Sequence, residues 1–150
     1  MNPERHIERP LRQDYPELVA VWEAAVRATH HFLAEEYIQA IKPLLLEEYL
    51  DLVNLYCTRD GSGAIEGFVG VLGNKAEMLF VHPHAHRKGV GKLLMHYAIH
   101  NLGITTVDVN EQNEGAVGFY RHLGFLVKSR SPEDAMGKPY PILHLELEAK

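Results

Sequence analysis

Cysteine is almost missing from this sequence. The lone thiol, Cys57, cannot close an intramolecular disulfide or build a multi-thiolate zinc site, and it suits a reducing compartment. Long apolar runs are missing too. No stretch approaches the ~18 residues of a membrane-spanning helix, and Met1 to His6 lacks the apolar core of a signal peptide. Internal repeats and low-complexity linkers are absent. Basic charge is in short supply: 15 Lys and Arg against 20 Asp and Glu leave a net charge of -5. That balance argues against nonspecific nucleic-acid binding and mildly favours cationic partners. The expectation is a soluble, cytoplasmic protein without a nucleic-acid or membrane partner, as a monomer or homodimer.

What is present is ordinary for a folded domain. The chain has 150 residues, 46% hydrophobic and 23% charged, enough for one full core spanning 1–150. Ile7 to Arg9 reads as a short strand. Asp14, Pro16 and Glu17 read as a helix start with Asp14 capping, and Leu18, Val21, Trp22, Ala25 and Val26 give that helix one apolar face. A loop over 28–33 leads to a second helical region, 34–50, interrupted near Pro43. Strands follow at 52–58 and 64–72 around the turn Asp60-Gly61-Ser62-Gly63, then a third ending at Val81. A helix to about Asn101, a strand over 105–109, a helix closed by Gly124, and strands at 127–129 and 142–147 complete the chain. The plan β-αα-βββ-α-β-α-ββ describes an α/β (α+β) protein with a mixed sheet covered by helices.

Chemistry concentrates in two stretches. After the strand Met78 to Val81, Pro83 stops the ladder, and Arg87-Lys88-Gly89-Val90-Gly91-Lys92 opens a helix whose apolar positions are Val90, Leu93, Leu94, Tyr97 and Ala98. Glycines admit a ligand close to the backbone. Free N–H groups, the positive end of the helix dipole and three cationic side chains favour a phosphorylated ligand. Neither a Walker loop nor a dinucleotide fingerprint fits, because Lys92 precedes Leu93, His86 holds the first-glycine position, and position 94 is Leu. A nucleotide hydrolase is therefore disfavoured. On this loop alone, a glycine-rich connection with solvated lysines explains the residues as well. The second stretch runs from Val109 to Phe125, with Asn113, Ala116, Phe119, Tyr120, Gly124 and Phe125 at fixed spacing.

Together the two stretches resemble the GNAT superfamily of acyl-CoA-dependent N-acetyltransferases. The likeness is closer still to its bacterial YjaB-type members, through Arg27-Ala28-Thr29-His30 with Phe32-Leu33, 109–114, and Gly137-Lys138-Pro139-Tyr140-Pro141. The resemblance implies acetyl-CoA as co-substrate and no metal. It implies that backbone groups of Phe80 and Val81 pair with the pantetheine arm, and that the N–H groups of Arg87, Lys88, Gly89, Val90, Gly91 and Lys92 hold the pyrophosphate. Asn113 would contact the cofactor and Tyr120 would stand beside the thioester sulfur as general acid. His86 departs from the family, which usually carries Arg or Gln there. Loops that flank the acceptor in this family make His30, His31 and Tyr140 candidate substrate residues.

Amide formation from an amine and a thioester needs one proton removed and one supplied. A lysine-like amine of pKa ~10.4 is neutral in about one copy in 2,500 at pH 7, and a thiolate of pKa ~8.5 must be protonated as it leaves. A phenol of pKa ~10 stays protonated and suits the acid role, so Tyr120 fits on chemistry as well as motif; otherwise it is a core tyrosine beside Phe119. For the base, Asp108 and Glu77 compete with ordered water, and each carboxylate also reads as a solvated side chain. His82, His84 and His86 alternate, but Pro83 breaks their strand and no carboxylate or thiol completes a metal set. The acceptor is a primary amine, on a small molecule, a protein lysine or a protein N-terminus. The competing reading is a non-catalytic acyl-CoA-binding or sensing module.

Overall fold

The computed structural model describes residues 5–148. Strand β1 (Ile7–Glu8) precedes helices α1 (Tyr15–Thr29) and α2 (Glu35–Glu47). Strands β2 (Asn54–Arg59), β3 (Ile65–Leu72) and β4 (Lys75–Val81) form a meander. Helix α3 (Val90–Leu102), β5 (Thr106–Asn110), α4 (Glu114–His122), β6 (Phe125–Ser131) and β7 (Ile142–Leu147) follow. The seven strands make one sheet in the order β1-β2-β3-β4-β5-β7-β6, with only β4 and β5 parallel.

Strand parity divides the core in two. On one side of the sheet Phe68, Leu55 and Cys57 pack under the Leu18, Val21, Trp22 and Val26 face of α1 and the Ile38, Ile41 and Leu45 face of α2. On the other, Val69, Val71 and Val107 meet Val90, Leu94, Met95 and Ala98 of α3 and Tyr120 of α4. Covered on both faces, β3 is buried from Ile65 to Val71. Each fully buried aliphatic or aromatic side chain contributes about 1.5–3 kcal/mol, so these two layers hold α1 and α3 against opposite faces of β4.

Four expectations need correction. Pro43 does not interrupt α2; it lies on the exposed side, while the buried face holds the helix despite the missing N–H. Residues 49–52 form a 3-10 turn, so β2 begins only at Asn54. Asp14 does not cap α1 with its side chain: Oδ2 accepts the Leu11 N–H at 2.8 Å and pairs with Arg59. Glu17 likewise does not close a capping box; its Oε2 accepts the Ile65 N–H at 2.7 Å and ties α1 to the start of β3.

The feature that makes room for function lies between the parallel strands. Their pairing covers only Lys75 with Thr106 and Ala76 with Val107, although both strands continue. On the other side of β4, Val71 pairs with Ala76 and Gly70 with Met78, leaving Glu77 as the extra residue of a β-bulge. The bulge bends β4 where it parts from β5, and the two strands diverge toward their C-terminal ends.

Candidate active site

A cavity of about 620 Å³ borders β4 beyond the point where the two strands part. Its wall on one side is β4, at Leu79, Phe80 and Val81. The glycine loop closes one end, Asn113, Phe119 and Tyr120 form the α4 side, and Ala25, Thr29 and His30 bring in the end of α1.

The β4 wall offers backbone. His82 N–H donates to Glu66 O at 2.7 Å, which makes Val81 and Gly67 a non-hydrogen-bonded pair of the antiparallel ladder. Phe80, one residue earlier, then spends its amide and carbonyl on Phe68, whereas Leu79 and Val81 turn theirs toward the slot. Of Phe80 and Val81, only Val81, with Leu79, turns main-chain groups toward the slot; the Phe80 ring packs against Trp22 and Phe68. His86 Nε2 donates to the Val81 carbonyl at 3.0 Å, so the family's unusual residue already touches this backbone.

At the loop, Gly89 has φ 80° and starts α3, and Arg87 holds φ 65°, the one non-glycine residue with positive φ among those described. Left-handed residues alternating with ordinary ones turn successive N–H groups to one side. The first intrahelical bond is Leu93 N–H to Gly89 O at 2.9 Å, leaving the amides of Val90, Gly91 and Lys92 without helical acceptors. Arg87, Gly89, Val90, Gly91 and Lys92 line the cavity. Lys88 does not, and its N–H turns to Ala85 O at 3.3 Å.

Asn113 has two tasks. Its Oδ1 caps α4 by accepting the Ala116 N–H at 3.2 Å, which leaves the NH₂ donors beside the cavity. Tyr120 is 7% exposed between Phe119 and Phe125, and its hydroxyl has no partner among the described residues. No buried side-chain oxygen or nitrogen among the described residues is both sealed and unpartnered, so this hydroxyl opens on the cavity. Burial raises the phenol well above its ordinary pKa.

The acceptor candidates separate. His30 lines the cavity, while His31 is exposed and outside it. Tyr140 does not line it but receives the Ala34 N–H on its hydroxyl at 3.3 Å and joins an aromatic wall through Phe32 and Tyr37. Tyr37 donates to Asp134 Oδ2 at 2.6 Å, fastening the β6–β7 loop to α2. Sequence reading assigned no role to Thr29, which lines the cavity, nor to Tyr37 and Asp134, since nothing local marks the last two as partners 97 residues apart.

Neither carboxylate candidate borders the cavity. Asp108 has one oxygen on Lys75 Nζ at 2.5 Å and the other on His144 Nδ1 at 2.7 Å, and His144 Nε2 reaches Ser131 Oγ at 2.6 Å. Glu77, exposed at the bulge, lies 3.8 Å from Lys75 Nζ. His82 and His84 stack with centroids 4.5 Å apart, and His82 Nδ1 accepts the His84 N–H.

Comparison with known proteins matches residues 51–127, from the 3-10 turn before β2 to β6, to the acetyltransferase (GNAT) domain model. The chain is 39% identical to the peptidyl-lysine N-acetyltransferase YjaB of Escherichia coli strain K12, covering 93% of this chain and 94% of that one. The chain belongs to the GNAT family. A Salmonella typhimurium protein of the same description is 36% identical over 93% of this GNAT chain and 96% of its own. The solution structure of apo-form YjaB from Escherichia coli superposes with a TM-score of 0.88 at 36% identity, over 99% of this chain and 100% of that one. The protein is thus an N-acetyltransferase with the GNAT fold, a family whose acyl donor is acetyl-CoA.

Proposed function

We propose that this enzyme acetylates lysine side chains of proteins or peptides from acetyl-CoA, with Tyr120 as the general acid. One observation carries the reading. The Tyr120 hydroxyl, without a partner among the described residues, opens on the same cavity as the unpaired β4 edge and the glycine loop. The residues present fit the donor: bare amides of Val90, Gly91 and Lys92 suit a diphosphate, and the unpaired edge at Leu79 and Val81 suits an amide-bearing arm. Bound there, acetyl-CoA supplies an activated acyl carbon and a thiolate leaving group.

Tyr120 holds its proton at neutral pH because burial disfavours the phenolate. The raised pKa makes it a weaker acid in bulk terms, but a donor is needed only as negative charge develops on sulfur. Two relatives described as peptidyl-lysine N-acetyltransferases, at 39% and 36% identity over most of this chain, support a lysine acceptor. The net charge of -5 supports a cationic one.

Thiol release from acetyl-CoA is measured with lysine peptides and, separately, with small polyamines, comparing wild type and Tyr120→Phe. Peptide turnover is expected, and Tyr120→Phe lowers it roughly 10²–10⁴-fold with cofactor affinity little changed. Equal turnover by the two proteins removes Tyr120 from the chemistry, and turnover confined to polyamines removes the peptide acceptor.

A further inference from the structure

Resting on the acetyl-transfer reading above, we propose that His30 Nε2 accepts the proton of the attacking amine, with Thr29 as the residue that positions it. His30 ends α1, its N–H bound to Val26 O, and its ring lines the cavity that Tyr120 enters from α4. The ring is held in one tautomer. Thr29 Oγ1 donates its only proton to Ala25 O at 2.8 Å, so it meets His30 Nδ1 at 2.7 Å as an acceptor. Nδ1 therefore carries the hydrogen and Nε2 carries the lone pair. Among the described residues Nε2 has no partner and is not sealed, and His30 lines the cavity, so Nε2 is open to it.

Its surroundings keep that lone pair available. Phe32 packs against the ring at 5.3 Å, and His31 is the neighbouring group whose charge acts on it. Burial first, then His31, hold the His30 pKa down at about 4, so about one ring in a thousand is protonated at pH 7. A neutral wall does not repel an incoming ammonium. The competing carboxylates are less suited: both oxygens of Asp108 are engaged by Lys75 and His144, and Glu77 lies outside the cavity.

So weak a base cannot create the neutral amine; against a lysine ammonium the transfer is disfavoured about a millionfold. The neutral fraction comes from bulk. As the nitrogen lone pair forms the C–N bond to the thioester carbon, the nitrogen becomes cationic and far more acidic, and its proton passes to Nε2. The C–S bond breaks, and the sulfur takes the Tyr120 hydroxyl proton. Amide and thiol leave an imidazolium and a phenolate, which return to neutrality by exchanging one proton through cavity water.

The test uses the full chain with acetyl-CoA and a lysine-containing peptide. His30→Ala and His30→Gln are expected to lose about 10²-fold in kcat with acetyl-CoA Kd within threefold of wild type. Added imidazole restores rate to His30→Ala in proportion to its concentration and leaves wild type unchanged. Thr29→Val lowers kcat without changing the KM for acetyl-CoA, and adds nothing in the His30→Ala background. Turnover of either His30 variant within threefold of wild type overturns the assignment. So does a loss that imidazole does not recover in an Ala variant that still binds acetyl-CoA. If His30→Ala does not bind acetyl-CoA, the kcat of His30→Gln decides on the same threefold criterion. A wild type inactive on the peptide defeats the proposed function instead, so the two failures are distinguishable.

Discussion

His30 links catalysis to stability through one proton. Its folded pKa, about 4, lies below the ordinary 6.5, so between those values the unfolded chain binds the extra proton. Stability is fully present above pH 6.5 and falls as pH drops toward 4. At pH 5 the loss amounts to about 2 kcal/mol by linkage. Glu35, held near 2 by Arg27, stays ionised through that window. Urea unfolding at pH 7 and pH 5 is expected to show a loss larger in wild type than in His30→Gln by about this amount, the remainder coming from groups such as His82, also held below 6.5, chiefly by burial. A pH dependence unchanged by the substitution would mean that His30 is as solvated as in the unfolded chain. Tyr120 titrates in the other direction: burial raises its pKa, so its protonated form persists to alkaline pH and the acid role is not lost first.

Among the elements, β3 sets where the phosphate-facing loop sits. A Cβ on Gly67 would come within 3.0 Å of Val90 Cγ1, 3.1 Å of the Phe80 oxygen and 3.3 Å of Val81 Cγ2. The missing side chain lets the first residue of α3 rest directly on the sheet beside the slot. Gly67→Ala is expected to cost roughly 1–3 kcal/mol by overpacking and to weaken acetyl-CoA binding, because Val90 and the bare amides after it must move. Calorimetry and thermal unfolding report the two effects; unchanged affinity would show that α3 is placed by other contacts. Elements with strong local pattern were legible in the sequence. The apolar face of α1 and the span of β7 follow from periodicity. Pro43 and Asp14 were not: a buried face outweighed a local breaker in α2, and distant Arg59 together with the Leu11 N–H claimed the Asp14 carboxylate. The bulge at Glu77 is equally silent, since its cause is the register with β3.

At the scale of the whole molecule, two apolar cores grip β4 from opposite faces while its edge toward β5 is left unpaired beyond Ala76. An unpaired strand edge inside a protein is costly unless water or a ligand satisfies it, and here the cavity reaches it. The glycine loop can be suspected from sequence, but this edge cannot, because it depends on where two distant strands part. It yields a residue-by-residue expectation for amide exchange. Without ligand, the Phe80 amide is protected by its pairing with Phe68, and those of Leu79 and Val81 exchange faster. Saturating acetyl-CoA slows Leu79 and Val81 by at least tenfold and leaves Phe80 nearly unchanged, because added main-chain bonds form only on the slot side. Protection appearing at Phe80 alone would reverse the parity assigned to β4. Protection at none of the three would mean that the donor does not lie along this edge.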